Sequence, residues 1–292
     1  MNRNVLLRLT MAGTLPWSMM ACGLGDEMTA VTGTFDRTMQ VSGPVDLDVQ
    51  TGSGIIRIKT GPDTTVRVIG HIRAFDLFWS NVDPAEQVKR LEANPPVEQH
   101  GDVIRVGGLA DISLEGVAIS YDLTVPVETR IRARSGSGDQ VIGPVRGPVD
   151  ARSGSGNVRI DHVTDRVRVM TGSGRIESLG AGAGFEARAG SGSIYAEAIG
   201  GPLRVRTGSG RVDVEQVAAG PIDVETGSGS VEVRMPANAT FDLNARTGSG
   251  SIESRRPLAV SGSVSRHHLR GRLGEGGPPV LIATGSGDIR ID

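Results

Sequence analysis

Along most of this chain apolar and polar residues alternate one for one. VDARS at 149–153, VRIDHV at 158–163 and VRVMT at 167–171 are examples. Such period-2 runs predict strands with one buried and one wet face. A tripeptide, GSG, joins them, starting at Gly52, Gly136, Gly154, Gly172, Gly190, Gly208, Gly227, Gly248 and Gly285. From Gly136 the starts advance by 18, 18, 18, 18, 19, 21 and 37, the last about two periods. A phosphate-cradling loop occurs once per site, and its glycines lead into a Lys and a helix. Nine copies on a regular beat are architecture instead. No nucleotide is expected.

Aligned on GSG, each copy repeats one scheme. The residue before the first Gly is Thr, Ser or, at Ala189, Ala. Two positions earlier stand Val49, Ala133, Ala151, Val169 and their equivalents. Two positions after the last Gly stand Ile56, Gln140, Val158, Ile176 and theirs. These columns point inward, and the charged positions between them point outward. Each copy therefore reads as strand, tight corner, strand and a looser corner, the last marked by Gly147-Pro148, Gly201-Pro202 and Gly220-Pro221.

A short Gly-rich link is also a hairpin signal. One column decides against hairpins. Four residues before GSG stand Arg132, Asp150, Arg168, Glu186, Arg204 and Asp223, alternating in sign. Copies stacked in parallel register, about 4.8 Å apart, set each charge between two of opposite sign. The pattern favours an all-β chain, a parallel β-helix (β-solenoid) of ~18-residue rungs with right-handed crossovers. A β-sandwich or meander is the alternative. One rung buries too few aliphatics to offset its own ordering, so stacking must supply the rest.

The beat lapses twice. Residues 71–115 read as an insertion carrying a helix at about 84–94: Asp83 caps it, Pro84 fits its first position, Glu86 completes a capping-box pattern and Pro95-Pro96 stops it. It is placed to cover a solenoid end or flank, with Phe75, Leu77, Phe78 and Trp79 packed beneath. The second lapse, Arg255 to Pro279, reads as one degraded rung plus a loop around His267-His268.

Composition narrows the rest. The chain has 292 residues, 42 of them Gly, a formal charge of −2 and 3% aromatics. No charge bias draws it to nucleic acid. The single cysteine, Cys22, rules out an intrachain disulfide and any multi-Cys metal site. Residues 1–21 read as an export signal, with Arg3 and Arg8 before a short apolar stretch broken by Pro16. The MMACG sequence around Cys22 resembles a bacterial lipobox, although Met19 stands where Leu is usual. That resemblance implies a lipidated Cys22, a linker over 22–30 and a membrane anchor, ahead of the β-domain that the repeats place over 31–292. Gly23 after the Cys implies outer-membrane retention.

With the repeats, YDLTVPVETRIRARSGSGDQVI and the closing GEGGPPVLIATGSGDIRID in view, the chain resembles a bacterial family of adhesin-like β-strand-repeat domains of unknown function. Those domains are related to the heads of auto-transporter-type adhesins. The resemblance runs from about Val31 to Asp292. It implies a right-handed β-helix, an envelope or surface location and no established catalytic residues.

Three groups could carry chemistry. An arginine stripe two residues before GSG, formed by Arg134, Arg152, Arg188, Arg206 and Arg246 and interrupted by Met170 and Glu225, could grip the phosphates or carboxylates of an anionic glycan or lipid. Asp213, Glu232 and Glu253, three residues after successive corners, would repel one another if stacked, unless a cation sits there. They are the basis for an alternative reading as a carbohydrate-active, polyuronate-type enzyme. The uneven spacing of the later corners could instead break that stack. Adjacent His267-His268 read as a solvated basic loop. The expectation is a non-enzymatic, envelope-anchored binding scaffold with no cofactor, metal, nucleic acid or catalytic residue. A role as an accessory protein in envelope-stress signalling is a further alternative.

Overall fold

The computed structural model describes residues 30–76, 83–108, 115–260 and 265–292. The expected export segment and Cys22 lie outside the described residues, as do Leu77, Phe78 and Trp79. Among the described residues the chain is all-β apart from one α-helix. Its strands form two sheets, of 13 and 12 strands. The strand leading into each GSG corner lies in the first, here the leading sheet. The strand leaving it lies in the second, the trailing sheet.

Between Thr129 and Arg234 sequence neighbours are spatial neighbours. In the leading sheet Thr129–Ser135, Val149–Ser153, Val167–Thr171, Phe185–Ser191, Leu203–Ser209 and Ile222–Ser228 run parallel in that order. Val149 faces Val167 and Val167 faces Phe185, each step one full repeat along the chain. The trailing strands stack in the same order. Val, Ile, Leu and Ala from the inner faces form one continuous core, and the outward positions stay wet. The fold is a parallel two-sheet solenoid, not a set of hairpins.

The corners show why the tripeptide is required. A Cβ on Gly172 would press well inside 3.0 Å on the carbonyl oxygen of Gly154 in the preceding rung, a backbone contact that no rotamer change relieves. Beside it the Thr171 hydroxyl is buried. It donates to Gly156 O of the preceding corner at 3.1 Å and accepts from its own Gly174 N–H at 3.1 Å. Thr207 and Thr284 reach back in the same way, to Gly192 O and Gly229 O at 3.0 Å each. Ser153 accepts from Gly156 N–H at 2.8 Å. At Thr171, Thr207 and Thr284 the hydroxyl column thus clasps one rung to the next, a role its small size alone did not reveal. In the inward column Gln140 is fully buried and donates to Ser135 Oγ and to Arg152 O, at 2.8 and 2.6 Å.

The C-terminal end overturns an expectation. The described residues of 255–279 do not form a degraded rung. They fold back, with His268–Leu273 antiparallel to Phe241–Ser249. The chain then returns and inserts its last rung between the two before it. Pro279–Ser286 pairs in parallel with Ile222–Ser228 on one side and Phe241–Ser249 on the other. Ile289–Ile291 lies likewise between Val231–Arg234 and Ile252–Ser254. The long interval before the last GSG records a change of rung order, not a missing copy.

At the other end Thr129–Ser135 stacks on Val45–Thr51, across a long excursion of the chain. The excursion supplies Thr65–Ala74, which lies antiparallel between Val31–Gln40 and Val117–Val125 and extends the trailing sheet. It also supplies Val103–Val106 and Val97–His100 at the edge of the leading sheet. The helix, Pro84–Ala93, begins where Asp83 accepts from Ala85 N–H at 2.8 Å. It buries Val88 and Leu91 against Val31–Gln40. Glu92 accepts from Thr34 N–H at 2.9 Å, occupying a donor of the outermost strand.

Candidate binding faces

The outward columns form two broad faces on opposite sides of the core. On the leading face the alternating column is in register as expected: Arg132, Asp150, Arg168, Glu186, Arg204 and Asp223 are successive partners. Arg168 meets Glu186 at 2.9 Å and Arg204 meets Asp223 at 3.3 Å. Arg152 leans on Asp150 of its own strand at 3.0 Å, and that hydrogen bond and charge hold its guanidinium above the ordinary arginine range.

The arginine stripe is present in part. Arg134 and Arg152 are direct partners, as are Arg188 and Arg206, with Met170 between the pairs. Arg246 is set apart, because the inserted rung puts Ala283 between it and Glu225. It donates to Asn244 at 3.3 Å. The other four are half-exposed and already paired. Arg134 meets Asp48 at 3.0 Å, Arg188 meets Glu186 at 3.0 Å, and Arg206 meets Glu225 and Asp223 at 3.4 and 3.7 Å. Glu186 serves both Arg168 and Arg188, so one guanidinium charge of that trio is left over. Next to it lies a shallow groove of about 260 Å³, with Arg166, Arg168 and Arg204 around Ala183, Pro202 and Pro221.

The acidic column is rearranged. Asp213 does face Glu232, but the next residue is Arg290 of the inserted rung, which separates Glu232 from Glu253 and lies 3.5 Å from the latter. The Asp213–Glu232 repulsion is relieved by arginine. Arg234 reaches Asp213 at 2.7 Å, Glu232 at 3.3 Å and Glu215 at 3.6 Å, and Arg211 reaches Glu232 at 2.6 Å. Burial opposes the charge on Arg234, yet the three carboxylates outweigh it and hold its pKa above the ordinary value. Neither Arg211 nor Arg234 was singled out from the sequence. Their columns, one and five positions beyond the corner, hold mixed residues and carry no pattern along the chain.

His268 Nε2 lies 3.3 Å from Asn244 Oδ1 on the antiparallel strand, and His267 is exposed beside it. Among the described residues no group of three His, Cys, Asp or Glu side chains is placed to hold a metal ion, and no helix is long and apolar enough to cross a membrane.

A parallel two-sheet stack with glycine corners and outward charge columns defines a β-solenoid repeat domain. The chain belongs to the Toastrack DUF4097 family, whose model matches residues 45–292. Its fold is similar to the crystal structure of a "putative adhesin" from Bacteroides fragilis, at 14% identity over 89% of this chain and 97% of that one, with a TM-score of 0.50. A "putative cell adhesion protein" from Clostridium sporogenes covers 89% of this chain and 99% of its own, at 15% identity and a TM-score of 0.27. A "putative lipid binding protein" from Parabacteroides distasonis covers 89% and 96%, at 12% identity and a TM-score of 0.37. The fold comparison rests on the first of these. Comparison with curated proteins returns no match.

Proposed function

We propose that this protein is an exported, lipid-anchored and non-enzymatic binding scaffold of adhesin type. In this reading it is a right-handed solenoid that presents its leading face to an anionic glycan or lipid. The observation that carries the reading is the shared carboxylate: Glu186 between Arg168 and Arg188 leaves a guanidinium able to take an anion. Arg206 adjoins Arg188 in the stripe, Arg152 lies beyond Met170, and the groove beside them offers Pro and Ala surface against which a sugar ring can lie. Guanidinium forks suit uronate and phosphate oxygens. The adhesin name of the Bacteroides fragilis structure points the same way. Export and the anchor rest on residues 1–22, and Cys22→Ser should move the protein from the membrane to the soluble fraction.

The test is binding of polygalacturonate and of anionic phospholipid vesicles, measured by biolayer interferometry on the purified chain. Arg152→Glu, Arg188→Glu and Arg206→Glu together should abolish binding to whichever source is recognised. Binding of neither, or binding indifferent to the triple change, would overturn the reading. Reducing-end release from the polyuronate would favour an enzyme instead.

A further inference from the structure

The two broad faces carry opposite charge. Across the six uniform rungs the outward strand positions of the leading sheet hold eight arginines, Arg130 to Arg206, against four carboxylates, Asp150, Glu186, Asp223 and Glu225. The same rungs of the trailing sheet hold two arginines, Arg159 and Arg234, against six carboxylates, Asp161 to Glu232. The surplus is four charges on each side, of opposite sign. Adding the flanking strands Val45–Thr51 and Ile56–Thr60, with Asp46, Asp48, Arg57 and Lys59, halves both surpluses and reverses neither. The corner residues Asp139, Arg175 and Arg211 remove one negative charge from the trailing face.

The ion pairs show the same inversion. On the leading face one carboxylate, Glu186, is shared by two guanidiniums. On the trailing face one guanidinium, Arg234, is shared by Asp213, Glu215 and Glu232, and Arg159 by Asp161 and Glu177. A slab with a formal charge of only −2 overall thus has a basic side and an acidic side.

We infer that a second copy of this chain docks face to face, its trailing sheet on the leading sheet of the first. Each face then meets the other's surplus, and arginines that share a carboxylate gain further ones across the contact. The contact joins two different surfaces, so it does not close on itself, and further copies can add side by side. Growth along the solenoid axis is hindered at the N-terminal end, where Glu92 and the helix occupy part of the outermost strand. Among the described residues nothing comparable covers the broad faces.

The contact is electrostatic, so salt must weaken it. At about 0.01 M salt charges act over about 30 Å, and at about 1 M over about 3 Å. The test is sedimentation velocity on the chain carrying Cys22→Ser, so that no acyl group drives association. The weight-average mass should rise about twofold or more at the lower salt and return to the monomer at the higher. A basic-face variant (Arg152→Glu, Arg188→Glu, Arg206→Glu) and an acidic-face variant (Glu177→Lys, Glu197→Lys, Glu215→Lys) should each stay monomeric. An equimolar mixture of the two should associate, because each then offers what the other lacks. Glutamine at the same positions, with folding checked by circular dichroism, provides a milder second set that should weaken association less than the charge reversals do. A wild-type chain that stays monomeric at low salt, or association that survives in both variants alone, would overturn the inference. The acidic-face variant should keep its polyuronate binding, which separates this contact from the anion site proposed above.

Discussion

The uniform rungs from Thr129 to Arg234 and the last two rungs are built from the same parts, yet only the first set stacks in sequence order. Corner chemistry is nearly identical in both. A Cβ on Gly172 would crowd Gly154 O, one on Gly285 would crowd Gly227 O and one on Gly248 would crowd Gly285 O, all well inside 3.0 Å. A corner that fits every neighbour equally cannot choose between neighbours. The outward columns can. Direct stacking of Ile252–Ser254 on Val231–Arg234 would place Glu253 opposite Glu232, a destabilising like-charge pair. The inserted rung puts Arg290 between them. It also brings Asp288 within 2.9 Å of both Ser251 N and Ser251 Oγ, and those bonds hold its carboxyl below the ordinary carboxylate range. The glycine repeat therefore makes stacking possible, and Arg290 between Glu232 and Glu253 favours the inserted order.

The all-or-none break of this comparison is a cross-link, made in a Cys22→Ser background. Asp223 and Leu281 are direct outward partners on neighbouring strands, whereas Asn244 lies one strand further out. Adjacent strands are about 4.8 Å apart, so two steps exceed the reach of a disulfide, about 7 Å between Cα atoms. Asp223→Cys with Leu281→Cys should oxidise to a closed loop, seen by mobility on a non-reducing gel. Asp223→Cys with Asn244→Cys should stay reduced. The opposite result would mean that the chain stacks in simple sequence order.

The next largest effect compares two corners. Gly172→Ala forces a Cβ into backbone that cannot yield and should cost about 3 kcal/mol, read as a lower midpoint in urea unfolding. Gly52→Ala changes the same tripeptide, but a Cβ there meets nothing within 4 Å. It should stay within about 0.5 kcal/mol of wild type. Equal losses at the two sites would show that glycine is needed for corner conformation and not for the approach of one rung to the next.

Much of this was legible in the sequence, and what was not has a physical reason. Period-2 alternation and the regular GSG beat specify strands, inward columns and parallel register, because each is a local or next-neighbour property. The helix announced itself through Asp83 and Pro84. The rung order did not, because Thr-Gly-Ser-Gly reads the same at 226, 247 and 284. The acidic column was illegible for the same reason, since Arg290 faces Glu232 from the far C-terminal rung, past the corner and strand that carry Glu253. The compensating pair Arg211 and Arg234 gave no signal because each occupies a column of mixed residues that is uninformative until the rungs are stacked.

The clasp provides the finest comparison, between two threonines of one column. Thr171 and Thr226 are both buried beside their glycines. The Thr171 hydroxyl bridges two corners, whereas Thr226 Oγ1 has no hydrogen-bond partner among the described residues. Thr171→Val keeps the shape, removes both bonds and leaves Gly174 N–H and Gly156 O without that partner. It should cost about 1–3 kcal/mol, the loss incurred when a buried polar group is left unmatched. Thr226→Val removes a hydroxyl that is already unmatched, so its effect should lie within about 0.5 kcal/mol of zero or be slightly stabilising. Equilibrium unfolding of the two variants side by side decides the matter. If both lose the same stability, the column acts by filling space, and the rungs are held by their ladders and core alone. If only Thr171→Val loses it, the hydroxyls join one rung to the next. The steps from Gly172 to Gly190, where Ala189 carries no hydroxyl, and from Gly208 to Gly227, where the regular beat first lengthens, would then be among those that lack the link.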